Sequence, residues 1–311
     1  MAPSLPRQET TDGDVISRIY LIRHGDRFDY ANPSWADSAK KSGCLVTVQY
    51  HPTRYDYMID PPLSALGNQQ ASETAAYLQK IMKENAPNND DTDNGNSGEI
   101  HKILVSPYLR VIQTATPTAH TFGIPLSIEN GLSEAHATPD TSEQQVLPTP
   151  HQRFAYFPML DPHYNSLLNV KPTPGFHCPK TGYACEAFAG RYCQRMETFA
   201  RCVERAHYGQ NIVMFSHAAS VALVAALVRC SMTDLKFAPC GIYHLERVNS
   251  GPWKIIQSGH DNSSYVTKNS PTTYPWGFSA KHFQENDGKY FGVSEGIDLD
   301  FFVEALDSSN L

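Results

Sequence analysis

One short segment sets histidine between arginines. In Arg23-His24-Gly25-Asp26-Arg27, one His lies between two Arg directly after the apolar run at 18–22. Nearby cations disfavour imidazolium, so His24 is biased toward the neutral, nucleophilic imidazole. Guanidinium forks suit phosphate oxygens, bidentately where geometry permits. Gly25 would let the backbone approach a ligand closely. A bare Arg-His-Gly is equally what a charged surface turn looks like, so the segment does not decide the matter alone.

Three further segments bear on it. Ser106-Pro107-Tyr108-Leu109-Arg110 adds a third Arg. Ser106 or its loop can cap the following helix, whose N-terminal dipole favours anions. Phe215-Ser216-His217 puts a second His at a strand end, and Gly131-Leu132-Ser133-Glu134 adds a carboxylate after another. Singly, each has an ordinary reading: a solvated helix Arg, a satisfied core His, a polar loop Glu. Together they make one design. Arginines bind and polarise a phosphoryl group, one His attacks phosphorus, and an acid protonates the leaving oxygen. Arg and His would supply the positive field, so neither a metal nor a cofactor is expected.

These residues need elements to position them. Short apolar runs at 18–22, 103–105, 125–129 and 211–215 read as strands. Segment 64–84 reads as a helix with Ser64 as N-cap and Ala71, Ala75, Leu78 and Met82 on one face. Helices are also expected at 110–119, at 218–228, and at 184–207, with Phe188, Tyr192, Phe199 and Val203 as an apolar stripe. Segments 241–248 and 253–257 read as a hairpin. The alternation predicts an α/β fold: a mostly parallel central sheet with helices on both faces and ligand chemistry at the strands' carboxyl ends. Residues 1–15 read as a flexible leader, 29–60 as an excursion over one face, and 85–98 as an exposed loop. The Pro- and aromatic-rich stretch 135–182 reads as a lid-like insertion in a single domain spanning 1–311.

Composition narrows the function classes. With 41% apolar and 18% charged residues, the chain is globular rather than disordered. A net charge of −7 argues against a nucleic-acid partner. The apolar stretch 212–228 is interrupted by Ser216, His217 and Ser220 and falls short of the ~20 residues a span needs, so no membrane partner is expected. No apolar signal core opens the chain, and the seven Cys include no CxxC pair. Reduced thiols in a cytoplasmic protein are the expectation.

In this order, Arg23-His24-Gly25, Ser106-Pro107 with Arg110, Gln113, Thr114 and Ala115, Gly131-Leu132 with Glu134, and Ser216-His217 resemble the motifs of the histidine phosphatase superfamily, the phosphoglycerate-mutase-like phosphatases. The resemblance covers most of the chain, including the hairpin and the 273–278 stretch. Arg27, followed by Phe28 and Asp29, the Trp35 region and the 60–67 stretch resemble the suppressor-of-T-cell-receptor-signalling and ecdysteroid-phosphate phosphatases. Glycolytic mutases typically carry Ser or Asn where Arg27 stands. The resemblance implies a phosphohistidine on His24, a phosphate pocket of Arg23, Arg27, Arg110 and His217, and Glu134 as proton donor. It implies a phosphomonoester substrate, small molecule or phosphoprotein, and a homodimer is an expectation because dimers are common in the fold.

Several alternatives stay open in the sequence. A phosphate-binding scaffold and a mutase-type phosphotransferase use the same residue types. Asp26 competes with Glu134 as the acid; Glu134 is preferred because an acid must stand opposite the nucleophile. His136 and Asp140 are weaker candidates on the same loop. Tyr156, Phe157 and Tyr164 either line a leaving-group pocket or simply pack. The natural substrate depends on 29–60 and 135–182 and is not legible.

Overall fold

A computed structural model describes residues 13–31, 60–84, 99–134, 147–170, 176–177, 184–185, 189–232, 235–270 and 303–305. Strand β1 (Ile16–Arg23) is buried along its whole length. It pairs in parallel with β7 (Asn211–Ser216), which pairs in parallel with β2 (Lys102–Val105), and β2 pairs in parallel with β3 (Leu126–Ile128). On the other side β8 (Ile242–Val248) runs antiparallel to β1, and β9 (Lys254–Gln257) closes the hairpin. The sheet order among the described residues is β3-β2-β7-β1-β8-β9. The sheet is mostly parallel, as expected, with the expected hairpin adding two antiparallel strands at one side.

Side chains alternate between two apolar layers, as a pleated strand buried on both faces requires. Tyr20, Ile22, Ile103 and Val105 face Leu78, Ile112 and Ala115 of α2 (Ala65–Glu84) and α3 (Leu109–Phe122). Ile19, Leu21, Leu104 and Met214 face Phe199, Val203 and Leu223 of α5 (Ala189–Ala206) and α6 (Val221–Val228). A one-turn α1 (Phe28–Ala31) follows β1.

Helix starts differ in part from the sequence reading. Ser64 caps α2 as expected, its Oγ accepting the Gly67 N–H at 3.0 Å. For α3, neither Ser106 nor its loop supplies the cap. Asp60 does so from 49 residues away, accepting the Leu109 N–H at 2.7 Å. Gly123, at φ 67°, ends α3 in the left-handed region. Helix α5 starts at Ala189 rather than 184, because 184–185 form β6 (Ala184–Cys185) against β5 (Phe176–His177). A short 3-10 turn, Ala218–Ser220, precedes α6.

The described part of the 135–182 insertion is built into the core. After Leu147, α4 (Pro150–Phe154) starts with a Thr149–Gln152 capping box. Leu147, Phe157, Leu160, Leu167 and Leu168 are buried, and Arg153 is fully enclosed. Strand β4 (Leu168–Val170) pairs with β10 (Val303–Ala305). At the other end of the chain, Asn249 Nδ2 donates to Asp14, and Asn249 Oδ1 accepts the Val15 N–H, so the last leader residues are tied to the end of β8. Residues 1–12, 32–59, 85–98, 135–146 and 271–302, with Trp35, His136, Asp140 and the 273–278 stretch, lie outside the described residues. Among the described residues, no helix is long and apolar enough to cross a membrane.

Register sets where the chemistry falls. Arg23 stands opposite Ser216 and Val105 opposite Phe215, so the chain leaves β1, β7 and β2 at neighbouring points on one edge. The His24 N–H donates to Ser216 O at 2.9 Å, and the Ser106 N–H to Phe215 O at 3.1 Å. Gly25 serves this packing, whatever it does for a ligand: a Cβ there would stand 2.8 Å from Gly67 O. Gly67 answers it, since its own Cβ would stand 2.2 Å from Asp26 O. The first turn of α2 is therefore pressed directly onto the His24 loop. Gly67→Ala forces the two apart and is expected to lower stability by about 1–3 kcal/mol in denaturant melts, while Ser72→Ala on the exposed face changes nothing. An unchanged midpoint for Gly67→Ala would refute this account of the contact.

Candidate active site

His24 leaves the end of β1 and is buried. Its Nδ1 lies 2.8 Å from the Gly25 carbonyl oxygen. A carbonyl only accepts, so Nδ1 carries the proton and donates it, which leaves the Nε2 lone pair available. Burial, then Arg110, Arg23 and His217, hold its pKa well below the ordinary imidazole value. A neutral imidazole with Nε2 bare is the nucleophilic form.

Arg110, His217 and Glu134 form a triangle beside it. Arg110 Nη2 is 3.1 Å from His217 Nδ1 and 3.4 Å from Glu134 Oε2. The same Oε2 lies 3.2 Å from His217 Nδ1. On its far side, His217 Nε2 meets Ser106 Oγ at 2.8 Å. Two bare acceptors do not settle 3.2 Å apart, so a proton belongs between the imidazole and the carboxyl group. Burial outweighs Glu134 in setting the His217 pKa, which falls to about 4. His217 is thus neutral at pH 7, and the proton it shares with Glu134 can stand on either partner. The His24 and His217 rings meet edge-on, with centroids 5.5 Å apart.

Arg110 is enclosed at 2% exposure. Its Nε and Nη1 have no hydrogen-bond partner among the described residues. Burial and the charge of Arg27 push its pKa down, opposed by Glu134, Asp60 and Tyr108. Its guanidinium lies over the Tyr108 ring at 4.6 Å. Two buried donor nitrogens without a hydrogen bond are what an incoming oxyanion would satisfy. Arg23 acts electrostatically on His24 and anchors its own Nη1 on Phe237 O at 2.6 Å. The half-buried Arg27 adds its charge at Arg110 and His217. All six expected residues, His24, His217, Arg23, Arg27, Arg110 and Glu134, therefore meet at one edge of the sheet.

Asp26 serves another purpose. Its carboxylate accepts Ser64 Oγ at 2.7 Å, and its N–H donates to Gln70 Oε1 at 2.9 Å, so it ties the loop to α2. Of the aromatic candidates, Phe157 and Tyr156 pack in the core layer of α2 and α3. Tyr164 donates its hydroxyl to Glu129.

Ligand atoms of His24, Glu134 and His217 lie within 4.8 Å of one another, a spacing a metal ion could use. The donor set suits a transition metal, but the surroundings oppose one. Arg110 Nη2 already contacts two of the three ligands, and Arg23 and Arg27 add like charge. The guanidinium is the cation this site is built around.

Sequence reasoning missed the supports. Asp60 is fully buried and accepts from Arg153 Nη2 at 2.5 Å, while Arg110 Nη1 lies 3.9 Å from it. Gln113 Oε1 accepts the Leu63 N–H, and Thr114 Oγ1 accepts the Gly25 N–H. The Gln113-Thr114 pair was visible as a motif but not as two pins. Glu129 and Arg195 were not singled out at all. A charged residue inside an apolar helical stripe was the available signal for Arg195, which stands between Tyr192 and Phe199.

No family model matches the chain, and no curated protein matches it by sequence. Solved structures do. Ecdysone phosphate phosphatase from Bombix mori, in complex with tungstate, is 18% identical, with 85% of this chain and 98% of that chain covered, at a TM-score of 0.52. A Bacillus stearothermophilus protein, YhfR, is 15% identical, with 79% of this chain and 98% of that one covered, at 0.47. A mycobacterial glucosyl-3-phosphoglycerate phosphatase is 15% identical, covers 79% of this chain and all of its own, and scores 0.44. The fold assignment rests on the first of these. By it, the chain has a phosphoglycerate-mutase-like α/β fold.

Proposed function

We propose that the chain is a phosphomonoester hydrolase working through a phosphohistidine on His24, without a metal. The observation that carries this reading is the Nδ1–Gly25 hydrogen bond, which presents a bare Nε2 beside the partly unpartnered guanidinium of Arg110. The tungstate complex of the Bombix mori phosphatase supports an oxyanion site in this fold.

In the first step His24 Nε2 attacks phosphorus as the ester P–O bond breaks. Glu134 gives its proton to the departing alkoxide and becomes a carboxylate. Arg23, Arg27, Arg110 and His217 hold the phosphoryl oxygens and stabilise the charge that develops on them. In the second step water attacks phosphorus, Glu134 takes its proton, and the N–P bond breaks. His24 regains its lone pair and inorganic phosphate leaves. The substrate would be a phosphotyrosine-like, steroid or other small phosphomonoester.

Purified protein is expected to hydrolyse an aryl phosphate without added metal and to be inhibited by vanadate. His24→Ala should lose turnover by about 10³-fold or more, and Arg110→Ala by about 10²-fold. Phosphate binding with no turnover would make the protein a scaffold instead. Phosphoglycerate mutase turnover well above hydrolysis would make it a phosphotransferase.

The buried imidazoles also fix two pH dependences. Turnover should persist below the ordinary imidazole pKa of about 6.5, because His24 stays unprotonated there; an acid limb centred on that value would contradict the burial. Stability moves in the opposite sense. His217 is neutral when folded, with a pKa of about 4, and takes up a proton more readily when unfolded. Stability is therefore full above about pH 6.5 and is lost as pH falls toward about 4. His217→Asn should flatten that slope in thermal melts, and an equally steep slope in the variant would assign it to other groups.

A further inference from the structure

The turn that carries Glu134 is gripped by buried charge from two sides. Glu129, fully buried at the end of β3, accepts the N–H groups of Gly131 at 2.8 Å, Leu167 at 2.7 Å and Leu168 at 3.3 Å. It also accepts the hydroxyls of Tyr164 at 3.0 Å and Ser166 at 2.5 Å. From α5, Arg195 donates Nη1 to Gly131 O at 2.9 Å and to Ser133 O at 3.2 Å. Its Nη2 donates to Ser133 O at 3.1 Å and Glu134 O at 3.2 Å. Ser216 Oγ takes the remaining carbonyl, that of Leu132, at 2.8 Å. Every carbonyl from 131 to 134 is thus engaged, and Gly131 is held at both its N–H and its C=O. The turn cannot shift outward toward α5 either, since even a Cβ on Gly131 would stand 2.6 Å from the Phe199 ring.

We infer that Arg195 is the positioning residue for the acid. The inference rests on the phosphatase reading and goes beyond it, because Arg195 touches neither substrate nor reacting atoms. Glu134 keeps 27% of its side chain exposed and must serve a leaving oxygen first and a water second. A side chain with two duties cannot be locked by its own contacts. Its precision has to come from the backbone beneath it. The guanidinium supplies that precision, because its planar fork fixes several carbonyls at once in set directions. An ammonium at the same place keeps the charge but loses the fork. Arg195 is also fully buried, with its guanidinium 4.8 Å over the Tyr192 ring, so it is itself held still.

A misplaced Glu134 slows water attack alike for every substrate, but kcat/KM reads only the first step, where the substrates differ. Misplacing the acid matters where the leaving group needs a proton and little where it does not. Arg195→Lys should therefore lower kcat/KM for an alkyl phosphate by about 30–100-fold, and for para-nitrophenyl phosphate by less than about threefold. Inhibition by vanadate should stay within about twofold, since the phosphate pocket is untouched. Glu129→Gln, isosteric and acting on the same turn, should show the same split and serves if Arg195→Lys does not fold. Equal losses on both substrates, or no loss on either, would overturn the role given to Arg195. A wild-type protein inert on both substrates would instead overturn the phosphatase reading.

Discussion

A guanidinium enclosed at 2% exposure is costly to keep in a protein interior, and much of the surrounding structure exists to hold Arg110 there. Asp60, itself fully buried, places a carboxylate near Nη1 and caps the helix from which Arg110 projects. Arg153 in turn fixes Asp60 and reaches Pro107 O, which ties the described part of the long insertion to the active edge. Tyr108 lies under the guanidinium plane, and Glu134 approaches from the open side. One buried cation thus accounts for the placement of an acid, a helix cap and a loop.

The same charge shapes the chemistry. Burial depresses the pKa of both imidazoles and this charge adds to it, keeping them neutral, and the guanidinium presents N–H groups that an oxyanion would satisfy. The bulk charge of −7 is no obstacle, because the site's field is local and enclosed. Sheet register does the rest. With Arg23 opposite Ser216, the two histidines emerge side by side without any loop having to search for its partner.

The parts legible in the sequence were those written in periodicity and in strand-end motifs. The continuous apolar run at 18–22 follows from a strand buried on both faces, and the α2 stripe of Ala71, Ala75, Leu78 and Met82 from a helix that buries one. His24, Arg110 and His217 stand out as a set near strand ends, since each alone has an ordinary reading. The supports did not stand out, for a physical reason. Asp60 and Arg153 are 93 residues apart and become a pair only through tertiary packing. Glu129 reads as a polar strand end until five donors converge on it. Arg195 was the exception that could have been found, since it breaks an apolar stripe at helical spacing. The insertion reads as a lid because it has no period; its described part, 147–170, is irregular backbone with a capped helix start and buried apolar groups.

The proposed chemistry puts the phosphoryl group on His24 Nε2. The direct measurement is a rapid quench of protein and phosphomonoester into alkali, followed by peptide mass spectrometry. The account predicts a phosphoryl group on the peptide containing His24, stable in base and lost in acid, absent in His24→Ala, and longer-lived in Glu134→Gln, which cannot activate the water. Rapid hydrolysis with no adduct on His24 at any quench time would contradict it.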